Sequence, residues 1–201
     1  PSSSSSSPAS AGPRPMPTSR SRTRNGRLPP RPAPRANCRS EAAAMPKIDK
    51  DAAPLRTGSI YPPPWDAQMA GRTSLRLGDA GGLTQFGVNL VRLAPGAVSS
   101  LRHWHLKEDE FVWVTEGVLH LVEDEGATEM HPGDCAAFPA NTPNGHRFEN
   151  RSDAPAAFLV IGSRMPGEEA TYSDVDLRVR ITEAGPVFTR RDGSALPSTE
   201  E

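Results

Sequence analysis

Two histidines separated by a single residue, His103 and His105, are the clearest chemical signal in the sequence. In a β-strand this spacing sends both rings to the same face, with their Cα atoms about 6.6–7 Å apart. Glu110 follows a predicted turn at residues 106–109, and His146 follows a second turn-rich segment. Three imidazoles and one carboxylate suit a divalent transition metal, and an octahedral ion would keep two positions for exchangeable ligands. We therefore predict that these four side chains bind one metal ion.

Short strands must position these side chains, because no long stretch of the chain shows helical periodicity. Strands are predicted at residues 74–77, 86–93, 110–115, 118–122 and 158–162, each bounded by Gly, Pro, Asn or Asp. Many short strands at this spacing predict an all-β sandwich or barrel. Glu116 and Gly117 are predicted to form a tight hairpin turn.

Composition limits the partners of the chain. It has 201 residues, 35% of them hydrophobic, with 22 prolines and a formal net charge of −1. Residues 1–44 hold eight arginines and one acid, a net charge of +7, so the remainder carries −1 − 7 = −8. This acidic body argues against nucleic acid as a partner, and no apolar run is long enough to span a membrane. Two cysteines cannot form a disulfide framework, which favours a reducing, cytoplasmic compartment.

The Ser-, Pro- and Arg-rich residues 1–44 are predicted to be disordered, because they cannot bury enough apolar surface. They could be a non-native leader or upstream extension before Met45, an organelle transit peptide or a weakly nucleic-acid-binding arm. We predict an extended arm over residues 45–70, a barrel over 71–165 and a tail over 166–201 packing on it. The tail is expected to fray after Pro186.

Two sets of residues resemble the two motifs of the cupin superfamily, in particular its small single-domain bacterial members. The residues that match the first motif are Gly96, His103, His105, Glu110 and Gly117. Those that match the second motif are Gly133, Pro139, His146 and Asn150. The spacer after Gly96 is one residue longer than usual, and His146 falls two positions late. The extra length is expected in the turn at residues 142–145.

This resemblance implies a jelly-roll barrel (a double-stranded β-helix) of six to eight antiparallel strands with the metal inside. It also implies a homodimer and the same four metal ligands, His103, His105, Glu110 and His146. The ion could be iron, manganese, nickel or zinc. The reaction type is not implied, because one fold hosts many chemistries.

Three further residues flank the predicted ligands. Glu108 is a candidate catalytic proton shuttle, and Arg102 or Arg147 could bind a substrate carboxylate. Together they suggest a metal-dependent enzyme acting on a small organic molecule as dioxygenase, decarboxylase, isomerase or lyase. The alternative is a non-catalytic module that binds or senses a small ligand. A carbohydrate- or sugar-phosphate-handling protein is a weaker alternative, because such sites usually need several basic residues and the motif region adds only Lys107 to the two arginines.

Other conspicuous side chains have simpler explanations. His120 lies among leucines and valines, and His131 lies in a turn, so neither is predicted to be a ligand. Cys135 is expected to be buried and inert. Phe111 and Trp113 alternate with Val112 and Val114 and are expected to pack in the core or between sheets.

Overall fold

Short antiparallel strands make up most of the computed structural model, which describes residues 47–197. The predicted disorder of residues 1–44 lies outside the described residues. The strands are β1 Leu55–Thr57, β2 Arg72–Leu75, β3 Phe86–Leu93, β4 His103–His105, β5 Glu110–Glu116, β6 Leu119–Glu123, β7 Gly126–Met130, β8 Cys135–Phe138, β9 Arg147–Glu149, β10 Ala156–Ser163, β11 Glu169–Tyr172, β12 Arg178–Thr182 and β13 Gly185–Thr189. The helices in this range are a 3-10 helix at Trp65–Met69 and a single turn, α1, at Leu77–Ala80.

Three antiparallel sheets enclose the interior. The largest has the order β1-β2-β3-β10-β5-β8, and the others have the orders β13-β12-β11-β4 and β7-β6-β9. Isolated bridges between His103 and His146 and between Val98 and Glu149 join the two smaller sheets at β4 and β9. The six-stranded sheet therefore faces a second, composite layer, as the predicted all-β jelly-roll barrel requires.

The main core lies between these layers. Val91, Val112 and Phe158 from the six-stranded sheet pack with Leu121 and Phe148 from the three-stranded sheet. Core residues occupy alternate positions along the strands of the large sheet, and the register of β10 places Phe158 opposite both Val91 and Val114. The burial of one face of each strand follows from this two-residue period.

Several local predictions were wrong. Glu116 and Gly117 do not form a hairpin, because β5 pairs with β8 and β10 whereas β6 pairs with β7 and β9. Phe111 and Trp113 lie on the outer sheet face and are 39% and 48% exposed. Cys135 is also exposed.

The arm and the tail add four of the thirteen strands among the described residues, and the barrel range itself holds nine where six to eight were predicted. β1 extends the large sheet from residues 45–70, and β11, β12 and β13 form most of the four-stranded sheet. The predicted fraying after Pro186 is not observed, since β13 pairs with β12 through Thr189.

None of the helices among residues 47–197 is both long and apolar enough to cross a membrane. The homodimer and the cytoplasmic compartment stay predictions.

Gly117 connects β5 of the six-stranded sheet to β6 of the three-stranded sheet, and substitution there tests whether this connection needs a glycine. Its φ is +71°, and a Cβ atom there would lie 2.6 Å from the Pro155 carbonyl oxygen. Gly96 also has a positive φ, +77°, but a Cβ atom there would meet nothing within 4 Å. We expect Gly96→Ala to lower the free energy of unfolding by about 1 kcal/mol, the cost of the backbone conformation. Gly117→Ala should cost at least about 2 kcal/mol more because of the clash.

Urea denaturation of the two variants checks this difference. Equal losses of stability would show that the Gly117 turn adjusts freely.

Candidate metal centre

Two elements of the composite layer and one of the large sheet bring the predicted ligands together. His103 and His105 occupy the first and last positions of β4, so their rings share one face. Glu110 is the first residue of β5. His146 lies just before β9, where its N–H donates to the His103 carbonyl at 2.9 Å and its carbonyl accepts a bond from the His103 N–H at 3.1 Å. The extra residues before His146 therefore leave it directly opposite His103.

The side chains of these four residues converge. One potential ligand atom from each of His103, His105 and Glu110 lies within 4.8 Å of the other two. His146 Nε2 lies 2.8 Å from Glu110 Oε2. The His103 ring centroid is 4.9 Å from that of His105 and 5.0 Å from that of His146. The structure thus places the predicted ligand set in one cluster.

Hydrogen bonds on the far side of two rings leave the right nitrogens for a metal. His103 Nδ1 donates to the Leu101 carbonyl at 2.9 Å. His105 Nδ1 donates to the Glu168 carboxylate at 3.2 Å. Because Nδ1 carries the proton in each ring, Nε2 keeps the lone pair that can bind a metal. Metal-binding histidines are commonly held in this way. The donor set of imidazoles and one carboxylate therefore fits a divalent transition metal.

His146 is held differently. Its ring stacks on Phe138 with a centroid distance of 3.6 Å and an interplanar angle of 8°. Its Nδ1 atom is buried and has no hydrogen-bond partner among the described residues. Packing on Phe138 and the Nε2 hydrogen bond to Glu110, instead of a bond at Nδ1, orient this imidazole.

Glu168 is a buried carboxylate that the sequence did not reveal. It is 1% exposed and, besides His105, accepts hydrogen bonds from the backbone N–H groups of Leu106 and Lys107 at 3.1 and 2.8 Å. It precedes β11, which pairs with β4 so that Ala170 lies opposite His105. Only this long-range pairing brings Glu168 to the site, and we infer that it orients the His105 ring.

The charges of the cluster suit metal binding. Burial raises the pKa of Glu110, but the His146 hydrogen bond and the nearby imidazoles outweigh it and lower the pKa to about 2. Burial and the neighbouring imidazoles lower the pKa of His103 to about 3. Burial opposes a charge on His105, yet its hydrogen bond to Glu168 raises its pKa. At neutral pH Glu110 is ionised and His103 is neutral, the forms that bind metals.

The cluster opens into two adjacent cavities. The first, of about 280 Å³, is lined by His103, His105 and Glu110 together with Tyr61 and Tyr172. The second, of about 320 Å³, is lined by Glu108 and by several arginines. Arg56, Arg72, Glu110 and Val160 line both. A small molecule could therefore reach the cluster and Glu108 together.

Glu108, the predicted proton shuttle, lies beside His105 and Glu168. One of its carboxylate oxygens, one atom of Glu168 and one of His105 lie within 4.8 Å of one another. Glu108 Oε1 accepts a hydrogen bond from the Met165 N–H at 2.8 Å. Burial raises the pKa of Glu108 despite this bond.

The predicted substrate-binding arginines are engaged elsewhere. Arg102 forms ion pairs with Asp124 and Asp174, the latter at 2.6 Å. Arg147 pairs with Glu149 at 2.6 Å. Neither lines the two cavities. The arginines that do line the second cavity are Arg56, Arg72, Arg76 and Arg164, all from outside the motif region.

His120 and His131 lie away from the cluster, as predicted. His131 Nε2 is 3.0 Å from Glu129, and His120 Nε2 is 3.7 Å from the same carboxylate.

Comparison with known proteins identifies the family. The cupin domain family matches residues 89–162. A solved structure from Silicibacter pomeroyi, a sugar phosphate isomerase from a cupin superfamily, is 63% identical and has a TM-score of 0.74. The match covers 76% of this chain and 98% of that one. This chain belongs to the cupin superfamily.

Two further solved structures are similar to this chain at lower identity. A putative sugar phosphate isomerase from Acidithiobacillus ferrooxidans is 27% identical over 63% of this chain and 81% of that one, with a TM-score of 0.57. A polyketide cyclase from Streptomyces resistomycificus is 20% identical over 59% and 79%, with a TM-score of 0.50, and shares the fold alone. No curated protein matches the sequence.

The contact between Glu168 and His105 predicts a measurable effect on metal affinity. We expect Glu168→Gln to weaken binding of manganese or zinc about 10–100-fold, because the His105 ring loses its charged acceptor. Glu169→Gln is the matched control, since the neighbouring Glu169 pairs with Arg178 and Arg180. Competition with a chelating dye measures both affinities. Unchanged affinity in Glu168→Gln, or an equal loss in the control, would contradict the role of Glu168.

Proposed function

We propose that this cupin is a metal-dependent isomerase that interconverts the aldose and ketose forms of a small phosphorylated sugar. The observation that carries the proposal is the junction of the His/Glu cluster, the Glu108 carboxylate and an arginine-lined cavity. The relative with 63% identity is a sugar phosphate isomerase. Isomerisation is also one of the reactions that the sequence left open.

The shape of the cleft suits a sugar phosphate. The two adjacent cavities, of about 280 and 320 Å³, together lie within the range of roughly 300–1,000 Å³ typical of small-molecule sites. The imidazoles line only the first cavity and Glu108 only the second, whereas Glu110, Arg56 and Arg72 line both. The oxygen-rich carbonyl end of a sugar would bind at the first and its anionic group at the second.

His103, His105, Glu110 and His146 would hold the ion. A divalent metal bound there would polarise the sugar oxygens and stabilise negative charge as it develops. The chain's own imidazoles and carboxylates fix the place of those oxygens, with Glu168 and the Leu101 carbonyl orienting the rings.

Glu108 would transfer the proton. As a carboxylate it takes the proton from C2 of the aldose and returns it to C1, while one hydroxyl proton moves from O2 to O1. The C2–H bond breaks and a C1–H bond forms, so atoms and electrons balance without an added oxidant or reductant. Burial raises the pKa of Glu108, which makes its carboxylate a stronger base for the C2 proton.

The direct test is a panel of aldose phosphates with three to seven carbons, incubated in D₂O with the metal-loaded protein. We expect one ketose phosphate to form, with deuterium at the carbon that receives the proton. Glu108→Gln should lower kcat about 10²–10⁴-fold, the usual contribution of a general base, with metal content unchanged. NMR measures the products, and elemental analysis measures the metal.

Glu125→Gln is a control, because Glu125 is an exposed glutamate in the turn between β6 and β7. It should leave kcat unchanged. Full activity in Glu108→Gln would remove Glu108 from the reaction. If sugar phosphates bind but none is converted, the proposal fails and the non-catalytic binding module is supported.

A further inference from the structure

The four arginines of the second cavity fall into two pairs with different electrostatic surroundings. Arg76 and Arg164 each lie 2.6 Å from a carboxylate oxygen of Asp79. Arg164 also donates to the Leu83 carbonyl at 2.9 Å. This pair is held by contacts within the fold, and its charge is partly compensated.

Arg56 and Arg72 have no such compensation. Among residues 47–197, no carboxylate oxygen lies within 4.0 Å of either guanidinium group. Arg72 Nη1 donates to the Gly58 carbonyl at 2.9 Å, but its Nε atom is buried and has no partner among the described residues. A partly buried guanidinium without a counter-ion is costly, so this position favours an anionic ligand.

The strand register places both side chains on the interior face of the sheet. Arg56 on β1 lies opposite Ser74 on β2, and Arg72 lies two residues before Ser74 on the same strand. Ser74 is buried, and all three line the second cavity. Arg56 and Arg72 also line the first cavity, beside Glu110. They therefore stand at the junction between the metal centre and the open cleft.

The neighbouring strands of the same sheet leave room for a ligand. Gly87 on β3 and Gly162 on β10 lie opposite each other in the register, and both line the second cavity. Neither places a side chain in the cavity that the arginines line. Asn89, two residues from Gly87, adds a neutral amide to the same wall.

The two charges also act on each other. Burial lowers the pKa of Arg72, and the neighbouring Arg56 charge lowers it further. Two neighbouring guanidinium groups attract a dianion more strongly than a single charge does.

We propose that Arg56 and Arg72 form the subsite that binds the phosphate group of the sugar substrate. This inference rests on the proposed function and gives the extended arm a role in specificity, because β1 supplies Arg56. Phosphorylated sugars should bind far better than the corresponding free sugars. Arg76 and Arg164 are not part of the subsite.

The test measures binding of inorganic phosphate by calorimetry, with and without bound metal, to separate the arginines from the metal centre. Arg56→Met and Arg72→Met should each weaken phosphate binding at least about tenfold in both conditions. Arg76→Met is the matched control, because it removes the same charge from the same cavity, and it should change binding less than about twofold. Thermal melting checks that each variant folds, and Arg56 lies on an exposed strand where substitution leaves the core intact.

Kinetics separate this inference from the proposed function. For the converted sugar phosphate, Arg56→Met should raise KM at least about tenfold, with a smaller effect on kcat. Unchanged phosphate binding in Arg56→Met and Arg72→Met, or equal turnover of phosphorylated and free sugar, would overturn the subsite. If no sugar phosphate is isomerised but phosphate binding still depends on both arginines, the subsite stands and the proposed isomerase fails.

Discussion

The bridge between His103 and His146 is the constraint on which the candidate centre depends. Two backbone hydrogen bonds hold these residues opposite each other and join the four-stranded and three-stranded sheets. Because both residues carry imidazoles, the contact that closes the layer also brings two donors together. Glu110 completes the cluster from the facing sheet through its hydrogen bond with His146. The centre is therefore built into the joint between the layers.

The metal centre contributes negative charge to the cleft, and the arginine pair contributes positive charge. At the centre, Glu110 is ionised, and Glu168 holds a second carboxylate behind His105. Next to Glu110, Arg56 and Arg72 carry positive charge, with no carboxylate oxygen within 4.0 Å of either guanidinium group among the described residues. This polarity suits a substrate whose oxygen-rich end meets a cation and whose other end is an anion. It is the physical reason for preferring a sugar phosphate to a neutral substrate.

The sequence predicted what depends on local spacing and missed what depends on long-range pairing. His103 and His105 share a face because they are two residues apart in a strand, and the all-β class follows from the turn residues. Glu168 reaches His105 only because β11 pairs with β4, and Arg56 reaches the cleft only because β1 pairs with β2. The two-residue period of a strand correctly placed Trp113 on the face opposite the buried Val112 and Val114. It did not show that this outer face of the sheet is exposed.

Anomalous scattering from crystals grown with manganese tests the central claim most directly. The account predicts one peak per chain, within bonding distance of the imidazole Nε2 atoms of His103, His105 and His146 and of the Glu110 carboxylate. A manganese peak bound elsewhere, with these four side chains uncoordinated, would contradict it.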